Sequence, residues 1–271
     1  MKINLIYATW PEKSSGRAWW AMPEAFRNAG LAATLSAGGH DVAQSDLWSD
    51  GTLKGAFGLA GQIGNVIRAA QSRGSMSVVV CGSCTVAAVG GIAGLGSDAA
   101  ILWMDAHPDL NTPETTRSGL FEGMALASAT GLCWSAIAAE TSGLAPASPR
   151  NAILFGARDI DAPESEIIAR TGMVRARNEA EIVARIDGRT SVYVHLDMDV
   201  HDALRLRANA YAVPGGPTVA EVRSVLRAIG NGPLSAIALT GLEPDSADAR
   251  EGVAIGIEHI RAVAEAQSAR S

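Results

Sequence analysis

The sequence predicts an α/β fold: a mostly parallel sheet with helices over both faces. Two observations lead there. Apolar runs that read as strands alternate with amphipathic or Ala-rich stretches along the whole length, and such alternation requires crossover connections. Polar clusters also follow directly on several of the strand-like runs, where open α/β sheets place their ligands.

Strands are predicted at 2–7, 76–82, 99–105, 151–156, 190–197 and 234–241. Helices are predicted near 16–29, 53–73, 84–95, 119–131, 163–171, 178–187, 218–229 and 249–267. The runs ending at Val80, Met104 and Leu196 are almost continuously apolar, as expected of strands buried on both faces. The Ser142–Arg150 stretch, with Pro146 and Pro149, reads as a loop, as does Tyr211–Thr218 with Pro214-Gly215-Gly216-Pro217. No internal repeat or composition break divides the chain, so residues 1–271 are expected to form one domain.

A chain of 271 residues that is 48% hydrophobic can bury one sizeable core. Its formal net charge of −6 and sequence pI of about 5.4, without a basic patch, exclude nucleic acid and acidic membrane surfaces as expected partners. No apolar run approaches the ~18 residues of a membrane span. The N-terminal run reads as a first strand, not a signal segment, and a cytoplasmic location is expected. Cys81, Cys84 and Cys133 are too few for a disulfide framework.

Two carboxylate clusters carry the chemistry. Asp105-Ala106-His107-Pro108-Asp109 follows one strand-like run, and Asp197-Met198-Asp199 closes another. On an extended chain, positions i, i+2 and i+4 face one side. Asp105, His107 and Asp109 can therefore converge, and so can Asp197 and Asp199. With no Lys or Arg inside either cluster, these carboxylates repel one another unless a cation neutralises them, which points to a metal site with two ions. An acidic turn with ordinary helix caps is the plainer alternative, outweighed by the length of the first motif and its recurrence with a second.

Cys81-Gly82-Ser83-Cys84 leaves three readings open for Cys84: metal ligand, redox partner of Cys81, or inert buried thiol. His195 is expected to support a ligating carboxylate by hydrogen bonding. His201 and Asp202 fit a rim or a solvated loop equally, His40 and His259 carry no pattern, and Cys133 reads as core. Trp19 and Trp20 read as packing or interface residues.

The segment Asp105–Thr115, reading Asp-Ala-His-Pro-Asp-Leu-Asn-Thr-Pro-Glu-Thr, resembles the signature of the arginase, or ureohydrolase, family. His195-Leu196-Asp197-Met198-Asp199 resembles that family's second aspartate motif, and Phe155-Gly156-Ala157-Arg158-Asp159-Ile160-Asp161 is similar to a segment of its arginase branch. The resemblance implies a three-layer αβα sandwich. It also implies two divalent metal ions, manganese in the family, with a bridging hydroxide that attacks a guanidinium or amidine carbon. Carried over by position, Asp105, His107, Asp109, Asp197 and Asp199 match five metal ligands, and Cys84 stands where the sixth, a histidine, is usual. Sulfur is softer than imidazole and suits zinc or iron better than manganese. The cysteine, together with the neighbouring motifs, resembles the Nω-hydroxy-arginine hydrolase branch.

The same carry-over implies roles for further residues. Asp109 would partner the hydroxide. Glu122 stands at the place of a proton-shuttling histidine and is a candidate donor to the leaving amine. Leu120 replaces an asparagine that helps hold a substrate carboxylate. Gly241 stands at the place of a guanidinium-gripping glutamate, with Glu243 two residues on as a candidate to take over. Asn111, Ser118, Asp161 and Glu164 match positions that contact an α-amino acid. The resemblance thus implies hydrolysis of a small guanidino substrate, Nω-hydroxy-arginine or arginine, to hydroxyurea or urea plus ornithine. Alternatives are a relative acting on agmatine, guanidinobutyrate or formimino-glutamate, a non-catalytic metal- and ligand-binding relative, and a thiol-redox role at Cys81 and Cys84. Family members are often trimers or hexamers, which leaves a homo-oligomer open.

Overall fold

The computed structural model describes residues 1–12 and 16–269. Eight strands, β1 (Lys2–Thr9), β2 (Asp41–Trp48), β3 (Met76–Cys81), β4 (Ala100–Met104), β5 (Ala152–Phe155), β6 (Val174–Arg175), β7 (Val192–Asp197) and β8 (Leu234–Thr240), form one sheet in the order β2-β1-β3-β8-β7-β4-β5-β6. Every pairing is parallel. All carboxyl ends therefore open on one rim, and β3, β8, β7, β4 and β5 are neighbours there.

Alternation along each central strand divides the core into two layers. Val78, Val80, Leu102, Met104, Val194 and Leu196 face one layer. It is completed by α1 (Met22–Asn28), α2 (Leu31–Ala37), α8 (Glu179–Ile186), α9 (Val219–Gly230) and α10 (Ala249–Ser268). Val79, Ile101, Trp103 and Tyr193 face the other, completed by α3 (Leu53–Gln71), α4 (Cys84–Leu95), α5 (Ala125–Ala129), α6 (Ser135–Ser142) and α7 (Ala162–Thr171). The result is the expected three-layer αβα sandwich. The helix α4 is buried on nearly every side, and its glycines let α3 approach: a Cβ at Gly90 would stand 2.8 Å from the Ile63 Cβ.

All six predicted strands are present, and two unpredicted ones flank them. At the edge, β2 exposes a polar face and buries little, while β6 is two residues long. The helices α2 and α6 were also unpredicted, and the helix expected over 119–131 is a 3-10 turn, Glu122–Met124, running into the short α5.

Candidate metal centre

The rim is built from residues that immediately follow neighbouring strands. Cys84 starts α4 just past β3, where Ser83 caps the helix by accepting from the Val86 N–H at 3.2 Å. Asp105–Asp109 leaves β4, Asp197 ends β7 with Asp199 in the 3-10 turn that follows, Gly241 follows β8, and Arg158–Asp161 follows β5. They surround a cavity of about 240 Å³ lined by Cys84, Asp105, His107, Asp109, Asp197 and Asp199, with Asn111, Ser118, Glu122, Asp161 and Glu164 on its walls. The carboxylates of Asp105, Asp109, Asp197 and Asp199 are all buried.

Two groups of donor atoms form the floor. In one, the His107 Nδ1 lies 3.4 Å from Asp105 Oδ1 and 3.3 Å from Asp199 Oδ2. Asp105 Oδ1 accepts from the His107 N–H at 2.7 Å, and Asp199 Oδ1 accepts from the Ala106 N–H at 3.2 Å. In the other, Cys84, His195 and Asp197 each bring a donor atom within 4.8 Å of the others, and the Cys84 thiol donates to Asp197 Oδ2 at 3.2 Å. Asp109 adjoins both groups, its carboxyl raised well above the usual range by burial and then by Asp105 and Asp197. It holds a left-handed backbone at φ +48°, a conformation that costs energy in a non-glycine residue.

His195 is fully buried and stacks on Trp103 with ring centroids 3.7 Å apart. Its Nε2 meets the Thr240 hydroxyl at 3.0 Å and its Nδ1 the Tyr193 hydroxyl at 3.3 Å. Thr240 in turn donates to Asp197 Oδ2 at 3.3 Å. Both ring nitrogens are thus engaged, and His195 supports Asp197 through Thr240.

The electrostatics differ between the groups. Burial lowers His107, but Asp105 and Asp199 outweigh it and raise it to about 12. Burial opposes ionisation of Asp199, yet His107, Asn209 and the Ala106 N–H hold it below the ordinary carboxylate range. Burial, aided by Asp199, pushes Asp105 up to about 7. Asp197 is raised well above its usual value, chiefly by burial and then by Asp199 and Asp105. Cys84 is likewise raised, by burial and then by Asp197. Buried carboxylates and a thiol crowded together, with Asp105, Asp197 and Cys84 pushed toward the neutral form, have the donor chemistry that a divalent cation stabilises in ionised form. The two groups fit two such ions.

Around the floor, Glu122 is buried against the start of α4. Its Oε2 accepts from the Ser83 hydroxyl at 2.9 Å and the Thr85 N–H at 3.0 Å. Burial still raises it to about 7. Asn111 donates to Asp161 Oδ2 at 3.1 Å. Glu164 has both oxygens committed to backbone: Oε1 accepts from the Leu110 N–H and Oε2 from the Asp161 N–H, each at 2.9 Å. With Asp161 it forms the capping box of α7, tying that helix to the first acidic segment. Glu243 stands apart from the cavity lining and takes the Arg17 guanidinium at 2.9 Å. Arg17 also lies over the Tyr211 ring, 5.2 Å from its centroid.

Sequence reasoning passed over Asn209, Tyr211 and Asp159, and gave Trp19 no place at the site; all four line the cavity. Asn209 Nδ2 donates to Asp199 Oδ2 at 3.1 Å and to the Gly241 carbonyl at 2.7 Å. Nothing in its local sequence distinguishes it. Tyr211 and Trp19 form a tilted aromatic pair at the mouth.

A parallel three-layer sandwich with acidic and sulfur donors at neighbouring strand ends defines a class of metal-binding α/β proteins. Comparison with known proteins narrows it. The sequence profile described as Arginase family matches residues 21–265, and the chain belongs to that family. It is 35% identical over 203 residues to the N(omega)-hydroxy-L-arginine amidinohydrolase of Streptomyces lavendulae, covering 72% of each chain. It is 31% identical over 165 residues to the arginase of Agrobacterium fabrum, covering 55% of this chain but only 50% of that one. Among solved structures, arginase from Bacillus subtilis superposes with a TM-score of 0.88 at 22% identity, over 97% of this chain and 98% of that one. The agmatine ureohydrolase of Thermoplasma volcanium shares the fold at a TM-score of 0.70 and 16% identity, over 98% of this chain and 89% of that one. No helix among the described residues is long and apolar enough to cross a membrane.

Proposed function

We propose that this chain hydrolyses a C–N bond of a guanidino amino acid, Nω-hydroxy-arginine in preference to arginine, with two divalent ions at the cavity floor. The observation that carries the reading is the meeting of two donor groups, Cys84 with Asp197 and Asp105 with His107 and Asp199, in one cavity walled by Asn111 and Asp161. The identity to the Streptomyces hydroxy-arginine enzyme supports the substrate. Oxygen and nitrogen donors favour manganese at the His107 side, while the Cys84 sulfur draws the other side toward zinc or iron; manganese is the first ion to test.

Such ions would lower the pKa of a water and polarise the guanidinium carbon, which is otherwise a poor electrophile. Asp109 accepts a hydrogen bond from the attacking water and orients it. Asn111 and Asp161 hold the α-amino end of the substrate, with Ser118 beside them at the rim, and Glu164 braces Asp161 through the helix cap. Trp19 and Tyr211 narrow the mouth and exclude water. As the water oxygen bonds to carbon, the bond to the δ-nitrogen breaks and that amine takes up a proton. Glu122, raised by burial to about 7, holds one available near neutral pH. The products are ornithine with hydroxyurea, or with urea from arginine. Glu243 reaches substrate in this reading only when its pair with Arg17 opens.

The test is release of hydroxyurea and urea from the two substrates, with manganese and then with a chelator. Metal-dependent turnover with the higher kcat/KM on Nω-hydroxy-arginine is expected. Turnover that survives the chelator, or silence on both substrates in protein holding two ions, would overturn the reading.

A further inference from the structure

Gly241 follows β8 directly and lines the cavity at φ +68°. A Cβ at this position would overlap both oxygens of the Asp197 carboxylate. That carboxylate therefore fills the space a side chain would take, and it is held there. Its Oδ1 accepts from the Asp199 N–H at 2.9 Å, and its Oδ2 accepts from the Cys84 thiol at 3.2 Å and the Thr240 hydroxyl at 3.3 Å.

The backbone of the same residue has a second task. The Gly241 carbonyl accepts from Asn209 Nδ2 at 2.7 Å, and that same nitrogen donates to Asp199 Oδ2 at 3.1 Å. Asn209 Oδ1 accepts from the Tyr211 N–H at 2.8 Å, which fixes which way the amide faces. One residue thus touches both carboxylates of the second acidic cluster. It meets Asp197 through the absence of a side chain and Asp199 through Asn209.

We propose that Gly241 is a positioning residue that sets Asp197 for the ion on the Cys84 side and Asp199 for the ion on the His107 side. This rests on the reading that each donor group holds a divalent ion. A side chain at 241 displaces the Asp197 carboxylate from Cys84 and dismantles one half of the floor while leaving the other.

Cobalt(II) is the probe, because a thiolate-bound cobalt gives a near-ultraviolet charge-transfer absorption that reports the cysteine side alone. The intact protein is expected to bind two cobalt ions and show the band, and Cys84→Ser to lose the band. Gly241→Ala is expected to lose the band and one ion. Gly188→Ala is the control. Gly188 has nearly the same backbone, φ +73°, with no atom within 4 Å of its would-be Cβ, so it carries the backbone strain without the overlap and is expected to keep both ions. Asn209→Ala is expected to keep the band and to weaken the second ion by about 10–100-fold. A Gly241→Ala protein that keeps both ions and the band overturns the proposal, as does a Gly188→Ala protein that loses them equally. If Gly241→Ala does not fold, Asn209→Ala decides: both ions at unchanged affinity overturns the proposal. Intact protein without two ions overturns the metal reading itself, before any substitution is made.

Discussion

On one side of the cavity floor, Asp105 and Asp199 flank the His107 ring at 3.4 and 3.3 Å. On the other, Asp197 meets only uncharged donors: the Cys84 thiol, the Thr240 hydroxyl and a backbone N–H. The first side compensates part of its own negative charge. His107 is raised to about 12, and Asp199 stays below the ordinary carboxylate range despite burial. The second has no such cation, and both Cys84 and Asp197 are pushed toward their neutral forms. The carboxylates of both sides are buried, so the difference lies in what faces them. The Cys84 side depends on a bound cation for its ionised state more than the His107 side does.

Removing the Cys84 side's carboxylate gives the largest expected effect. Asp197→Ala should lower kcat/KM about 10³-fold or more, since a lost metal contact removes several kcal/mol of charge stabilisation. Steady-state kinetics on Nω-hydroxy-arginine measures it, and a loss under tenfold would erase the asymmetry. Next comes the residue that joins the two sides. Trp103 stacks on His195 and donates from Nε1 to the His107 carbonyl at 3.2 Å. It is fully buried, so Trp103→Ala should cost about 3–5 kcal/mol in urea denaturation.

Glu122 flanks the Cys84 side through Ser83 and Thr85. Glu122→Gln should lower kcat about 10²-fold with little change in KM; full activity at every pH would remove it from the mechanism. The smallest effect lies beneath the His107 side. There the chain runs from Asp199 to His201, whose Nε2 meets His259 Nε2 at 3.2 Å. Burial first, then His201 and Arg223, the charged and titratable groups facing it, lower His259 to about 3. Its folded value is depressed below the ordinary ~6.5. The unfolded chain therefore binds the proton first, and stability is lost as pH falls from about 6.5 toward 3. Between about pH 7 and 5 that amounts to roughly 2 kcal/mol, and a His259→Phe protein should show a flatter decline in melts across that range.

The donors were legible in the sequence because they sit on short motifs at strand ends, but the two-residue spacing put Asp197 with Asp199, whereas the structure sets Asp199 beside Asp105 and His107 and Asp197 beside Cys84. The resemblance added Cys84, which spacing alone left between three readings. The two sides' different electrostatics were not legible, because they arise where His107 reaches across to Asp199 of the other cluster and leaves Asp197 to the Cys84 thiol and the Thr240 hydroxyl. Glu164 matched a substrate-contacting position, yet both of its oxygens are spent on backbone N–H groups. Glu243 fell two residues from a family position, and Arg17, far away in sequence, draws it off the cavity. In the fold, the buried strands announced themselves by continuous apolar runs. The edge strand β2 did not, because its outer face is polar, and β6 is too short to show a period.

The most direct measurement is anomalous scattering from crystals of the manganese-loaded protein. The account predicts two peaks in the cavity, one bonded to Cys84 and Asp197, the other to His107 and Asp199. A single peak, or a pair that leaves Cys84 without a metal, would contradict it.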